Sequence, residues 1–181
     1  MVDLEPLLAA LREGQRIGVI GPLAVDDAVE HSWRFVDAIA GEATSVIDLG
    51  SGGGLPGLVI GWCCPDLCVT LVDRRSKRTD FLRRAVQRLR LDHRVEVITA
   101  DVQDLGRQPT HANAYDAVTA RSFGPPDFTV TLALPFLAAG GQILVSDPPG
   151  PDRWPAVLGG ELGKSVTVIR TTAGLTVLGR C

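Results

Sequence analysis

Four glycines fall within five positions at Gly50-Ser51-Gly52-Gly53-Gly54, directly after the β-rich run Ser45–Leu49 and just before Pro56. A chain that leaves a buried strand through such a turn and enters a helix has few folds open to it. Glycine permits positive φ and lets a ligand approach the backbone. The N-terminus of the following helix adds partial positive charge, suited to an anionic group. Dinucleotide-binding folds use this device with G-x-G-x-x-G spacing. Here the spacing is G-x-G-x-G (Gly50, Gly52, Gly54), with Asp48 two residues before the first glycine. A turn that merely needs glycines is the competing reading.

The surrounding periodicity decides how the turn is used. Helical periodicity runs over 3–13 and 23–40, split by Gly21-Pro22, with Leu4, Leu7, Leu8 and Leu11 on one stripe. Further β-rich runs follow at Leu67–Val72, Val95–Thr99, Tyr115–Ala120 and Gln142–Ser146. Helical stretches at about 56–64, 77–91, a short one after Asp101, and 126–138 lie between them. Strands alternating with helices imply right-handed βαβ units and a parallel sheet. Ser165–Thr171 and Leu175–Gly179 break the alternation, being separated only by Thr-Ala-Gly, so the sheet is expected to end in an antiparallel hairpin. Asp147–Pro151 reads as one loop. The 181 residues are expected to form a single domain, with 1–42 a helical extension and 43–181 an α/β core.

Composition excludes several classes. Apolar residues make 45% of the chain and charged residues 22%, against general disorder. No uncharged apolar run of about 18 residues exists to span a membrane. The start Met-Val-Asp-Leu-Glu-Pro lacks the basic and apolar regions of a signal peptide, so a cytoplasmic location is expected. Cys63, Cys64, Cys68 and Cys181 lack zinc-site spacing to one another or to His31, His93 and His111. Cys63, Cys64 and Cys68 read as buried hydrophobes, with no disulfide and no metal. Net charge is -3, yet residues 74–94 hold nine basic side chains and two acidic ones. Such asymmetry marks either a binding face or the solvated side of one helix. On the 77–91 helix, Phe81, Leu82, Ala85, Val86 and Leu89 form the apolar stripe, and Lys77, Arg83, Arg84, Arg88 and Arg90 lie opposite, with Ser76 a candidate N-cap. Trp33, Trp62 and Trp154 read as packing residues.

The glycine turn does not stand alone. The second β-rich run ends in Asp73, 23 residues after Gly50, where an acid can accept hydrogen bonds from ribose hydroxyls. The third is followed by Asp101, which can border a ligand and cap the short helix of Asp-Val-Gln-Asp at once. Three loops in this order converge on the rim where open α/β sheets bind ligands. The arrangement resembles class I S-adenosylmethionine-dependent methyltransferases, whose fold is Rossmann-like.

A narrower resemblance rests on Asp48-Leu-Gly-Ser-Gly-Gly-Gly-Leu-Pro-Gly57, Leu71-Val-Asp-Arg-Arg-Ser-Lys-Arg-Thr-Asp-Phe-Leu82, Ala120-Arg121-Ser122, Leu134-Pro135 and Gly140-Gly141. These stretches, with Ile17–Pro22, are similar to the bacterial 16S ribosomal RNA guanine-N7 methyltransferases, also called glucose-inhibited division protein B, over roughly residues 15–146. The resemblance implies S-adenosyl-L-methionine as cofactor and ribosomal RNA or the small ribosomal subunit as partner. It implies that Gly50 and Leu55 line the methionine end, that Asp48, Gly52 and Gly54 bind the cofactor with them, and that Asp73 holds the ribose. Asp101, Val102 and Gln103 border the adenine, and Arg121 faces the cleft as the candidate catalytic residue. The family's Asn-Leu-Thr segment is absent, its His-Leu-x-Asp-Ser pattern is reduced to His31-Ser32, and its basic C-terminus is replaced by Gly174–Cys181.

Guanine N7 has a free lone pair and no proton to lose, so its methylation needs no general base. No His follows the fourth or fifth β-rich run, consistent with that chemistry or with an inactive relative. Asp147-Pro148-Pro149-Gly150 follows the fifth run rather than the fourth and lacks an aromatic, so it reads as a turn and not as an amino-group methyltransferase motif. The alternatives left open are a methyltransferase of this fold with a small-molecule or other RNA substrate, and a non-catalytic cofactor-binding relative.

Overall fold

The computed structural model describes residues 2–22, 24–39, 41–172 and 174–181. Leu23 and Ala40, the ends expected for the second helix, and Ala173 of the expected hairpin turn lie outside the described residues. Two helices, α1 (Glu5–Arg16) and α2 (Val25–Ala38), precede the first strand. The alternating part then runs β1 (Ser45–Leu49), α3 (Gly57–Cys63), β2 (Cys68–Asp73), α4 (Ser76–Arg88), β3 (Val95–Thr99), α5 (Val102–Leu105), β4 (Tyr115–Ala120) and α6 (Pro126–Ala133). After α6 come β5 (Leu137–Ser146), α7 (Trp154–Leu158), β6 (Val166–Thr172) and β7 (Leu175–Arg180). The strands form one sheet in the order β3-β2-β1-β4-β5-β7-β6. β1 to β5 pair in parallel, while β7 pairs antiparallel with both β5 and β6. The parallel sheet with an antiparallel end is the arrangement expected from the sequence.

Neighbouring residues of each inner strand serve opposite faces, as the period-2 geometry of a strand requires. Val46 and Leu71 pack with α1 to α4 on one side. Ile47, Leu49 and Val72 pack with α5 to α7 on the other. Both faces are covered, which is why the parallel strands read as apolar runs rather than as alternation. Phe35 and Phe136, one in each layer, are fully buried.

Several local expectations are corrected. α4 starts one residue earlier than a Ser76 cap requires: Arg75 is the N-cap and no side chain caps the helix. The Arg75 N–H is instead taken by Asp73 Oδ1 at 2.9 Å. The helix expected over 126–138 stops at Ala133 and passes into a 3-10 turn, Leu134–Phe136, around Pro135. Pro135 has no N–H to continue the α-helical hydrogen-bond ladder. β5 therefore begins at Leu137, ahead of the β-branched part of the run. α7 and a 3-10 turn at Glu161–Lys164 fill a stretch the sequence left unassigned. The expected burial of the cysteines also fails, since Cys63 and Cys64 are half-buried and Cys68 is exposed. Trp154 is buried, and the Trp62 indole donates to the Asp3 carbonyl. Among the described residues no helix is long and apolar enough to cross a membrane. No cluster of three His, Cys, Asp or Glu that could hold a metal exists among them.

Candidate functional site

The order of β2, β1 and β4 places a crevice at the carboxyl ends of β1 and β4, where the direction of winding reverses. The glycine turn fills the near side. Gly50, Gly52 and Gly54 all take positive φ (68°, 55° and 95°), which explains the glycine at each. Ser51 fastens the turn between two strands. Its N–H donates to the Val72 carbonyl, its hydroxyl donates to the Asp48 carbonyl, and it accepts from the Val72 N–H.

Asp73 closes the turn from β2. Its Oδ2 accepts from the Gly52 N–H at 3.0 Å and from Arg78 Nη1 at 3.1 Å, and its Oδ1 accepts from Arg75 N–H. A carboxylate offers about four lone-pair positions, so an acceptor position remains for a hydroxyl. Asp101 is the N-cap of α5, its Oδ1 accepting from the Gln103 N–H at 2.9 Å. Gly50, Asp73, Asp101, Val102 and Gln103 line one cavity of about 370 Å³, whose far wall is Phe123, Phe128 and Leu132.

The other expected residues sit elsewhere. Asp48 is buried beneath the turn, with Oδ1 accepting from the Thr119 hydroxyl and Oδ2 from the Gly57 N–H. It holds β1, β4 and the start of α3 together and does not reach the cavity. Gly52, Gly54 and Leu55 shape the turn and are not part of the cavity wall. Arg121 opens onto a second cavity of about 380 Å³, which shares Ser122 and Phe123 with the first. Its Nη1 is buried and makes no hydrogen bond. Burial lowers the Arg121 pKa, and the Asp48 charge opposes that shift.

Burial pushes the Asp48 carboxyl from 3.8 to about 6, against its hydrogen bonds and the charge of Arg121. The folded pKa lies above the unfolded one, so the folded state holds more protons between these values. The group's contribution to stability therefore falls as pH rises from about 4 to above 6, by roughly 3 kcal/mol in all. Asp48→Asn can keep both bonds, accepting from Gly57 and donating to Thr119. We expect the stability of the variant relative to the native chain to rise by a few kcal/mol between pH 4.5 and 7.5 in urea unfolding. A difference independent of pH would remove Asp48 as the source.

His31 is the main residue that sequence reasoning missed. It comes from α2, yet it stands across the second cavity from Arg121. The sequence marks it only through the reduced pattern His31-Ser32, which does not place it at the cavity, because the packing of α2 near the ends of β4 and β5 is tertiary. Burial, then the charges of Arg121 and Arg34, lower its pKa. Phe123 and Phe128 were missed as well, although the rule that selected Arg121, a loop residue after β4, also covers Phe123. Their rings stack at 6.0 Å between centroids. Asp147 turns out to be a structural hub, taking the Trp154 indole and Arg153 on Oδ1 and the Thr176 hydroxyl on Oδ2. That supports the turn reading of the Asp-Pro-Pro-Gly stretch.

The geometry has counterparts among known proteins. A methyltransferase structure from Geobacter sulfurreducens superposes with a TM-score of 0.70 at 14% identity, covering 100% of this chain and 93% of that one. A cofactor-bound structure from MTB gives 0.71 at 20% identity, covering 97% and 89%. The fold is the class I S-adenosylmethionine-dependent methyltransferase fold. By sequence, the chain is 39% identical over 131 residues to the ribosomal RNA small subunit methyltransferase G of Thermobifida fusca, covering 70% of this chain and 53% of that protein. The protein of the same name from Rubrobacter xylanophilus is 34% identical over 140 residues, covering 75% and 52%. The chain thus spans about half the length of these curated relatives. Residues 11–146, well over half of the chain, match the family described as rRNA small subunit methyltransferase G, and the chain belongs to that family.

Proposed function

We propose that the chain is an S-adenosylmethionine-dependent methyltransferase that modifies guanine N7 in 16S ribosomal RNA, working in the cytoplasm where the small ribosomal subunit is found. The observation that carries this reading is the pair of adjoining cavities at the β1/β4 crevice, divided only by Ser122 and Phe123. One presents a carboxylate and a glycine turn, and the other is lined by Arg121, whose buried Nη1 makes no hydrogen bond.

The residues fit the cofactor. Asp73 offers a remaining acceptor position to ribose hydroxyls. Val102 and Gln103 are placed to border the adenine, beside the Gly50 turn. S-adenosylmethionine supplies, when bound, a methyl group on a sulfonium. The protein's part is to hold an acceptor in line with that methyl at the cavity boundary, and such positioning accounts for a large share of the acceleration. Guanine N7 has no proton to remove, so no side chain need act as base.

The basic face of α4 is the proposed path for RNA, and the structure narrows it. Arg83 is tied into the fold, with Nη1 on Asp80 and Nη2 on the Thr99 hydroxyl at 2.9 Å. Arg84 and Arg88 are exposed, with Glu13 of α1 nearby: its pKa is lowered mainly by Arg16 and further by these two charges. Arg74 and Arg75 continue the charge to the cavity rim. Arg84→Glu with Arg88→Glu should weaken RNA binding and flatten its log–log salt dependence by about 1.5, since each lost phosphate contact removes roughly 0.7–0.9. S-adenosylhomocysteine affinity should stay constant. A filter-binding series across salt checks both, and an unaltered slope would reduce this face to the solvated side of a helix.

The reading as a whole is tested by incubating the purified chain with methyl-labelled S-adenosylmethionine and small ribosomal subunits. Label is expected in the RNA, and its absence would count against the proposal.

A further inference from the structure

The second cavity is built for more than an opening onto the cofactor. It has the volume of a small-ligand site, about 380 Å³. Its polar wall carries two different kinds of group: Arg121, which only donates, and His31, a neutral ring with one donor and one acceptor nitrogen. Phe123 gives it an aromatic side. The backbone at Ser122, between the two cavities, takes φ 51°, a left-handed conformation that costs energy for a residue with a side chain. Strain of this kind is kept where the surrounding structure positions something.

We infer that Arg121 and His31 read the O6/N1–H edge of the acceptor purine beside Phe123, with Arg121 donating to O6 and His31 accepting from N1–H. This rests on the reading above that the acceptor is a guanine. The edge is complementary to this pair in guanine and reversed in adenine, which presents an amino donor to Arg121 and an acceptor to His31. Adenine sets donor against donor at Arg121, which no tautomer relieves, and acceptor against acceptor at His31, a penalty that discriminates strongly in a partly buried site. The N7 lone pair lies beyond O6 from this edge and stays open for the methyl group. His31 acts here as a specificity residue. Burial and the charges of Arg121 and Arg34 favour the neutral ring that can accept. Asp147 and Arg153, the other charged residues of the cavity, are paired with each other.

Ligand-detected NMR titration with guanosine, inosine and adenosine 5′-monophosphates tests the inference, run with and without S-adenosylhomocysteine. Inosine keeps O6 and N1–H and lacks only the 2-amino group. Guanosine and inosine monophosphates should bind at least about tenfold more tightly than adenosine monophosphate. The chain has three histidines, so the His31 ring signal can be followed directly and should shift only with the two keto purines. His31→Gln retains an acceptor and should keep the preference, whereas His31→Phe should weaken it to what the Arg121–O6 contact alone supplies. Equal binding of all three nucleotides, binding of none, or a preference undiminished in His31→Phe would overturn the inference. Binding of S-adenosylhomocysteine is measured separately by calorimetry. Cofactor binding without nucleotide discrimination sinks the inference alone. Discrimination without cofactor binding sinks the methyltransferase reading and leaves the base-reading pair standing.

Discussion

Gly52→Val is expected to lower the affinity for S-adenosylmethionine at least about a hundredfold, roughly 3 kcal/mol, while leaving the chain folded. At φ 55° a β-branched residue is a true outlier, and the conformation itself costs roughly 1–2 kcal/mol. The fold has room for the first carbon, since a Cβ at Gly52 would meet the Gly50 carbonyl at 3.7 Å and Arg78 at 3.8 Å. Gly52 lies behind the cavity wall, so the branches beyond that carbon would act by displacing Asp73 and Arg78, which line the cavity. Neighbouring glycines behave differently, so they serve as controls. A Cβ at Gly53 would collide with Ile20, and one at Gly57 with Leu71 and the Asp48 carboxylate, so Ala at either site should cost stability first. Calorimetric titration and a urea melt separate the two effects. Normal affinity in Gly52→Val would mean that the turn is only a turn.

Asp73→Ala is the second large effect. It should cost about 1.5–3 kcal/mol of binding free energy, the usual size for a charge-assisted hydrogen bond. Stability should fall too, because the same carboxylate takes the N–H groups of Gly52 and Arg75 and pairs with Arg78. Asp73 is only 3% exposed, whereas the Arg78 side chain is 35% exposed. Removing the acid therefore leaves a cation that water can solvate, and the chain should remain folded. Arg78→Ala provides the comparison: it leaves both backbone bonds to Asp73 in place, so its cost in stability should be the smaller. Unchanged cofactor affinity in Asp73→Ala would take the residue out of the site.

What the sequence made legible follows from local chemistry. The glycine turn was readable because positive φ at Gly50, Gly52 and Gly54 leaves glycine almost no substitute. The parallel strands were readable because two-sided burial demands mostly apolar runs such as Ile143–Val145. Asp101 was read correctly as a cap because the Asx-type bond to Gln103 is made within two residues. Legibility failed where the partner was distant in sequence. Asp48 was grouped with the ligand-binding residues, yet its partners Thr119 and Gly57 come from β4 and α3 and draw it under the turn. His31 belongs to a helix far from β4 in sequence, and only packing brings it opposite Arg121. α7 escaped notice because Trp154-Pro155 and Gly159-Gly160 resemble loop chemistry, while the burial of Trp154 is what holds it in place.

The central proposal is that this rim transfers a methyl group from S-adenosylmethionine to guanine N7 of 16S ribosomal RNA. Mass spectrometry of nucleosides from small-subunit ribosomal RNA, compared between cells with and without the gene, tests it most directly. The account predicts that 7-methylguanosine falls by one residue per 16S molecule when the gene is absent and returns with the native chain but not with Gly52→Val. An unchanged 7-methylguanosine level, or the loss of a different methylated nucleoside, would contradict it.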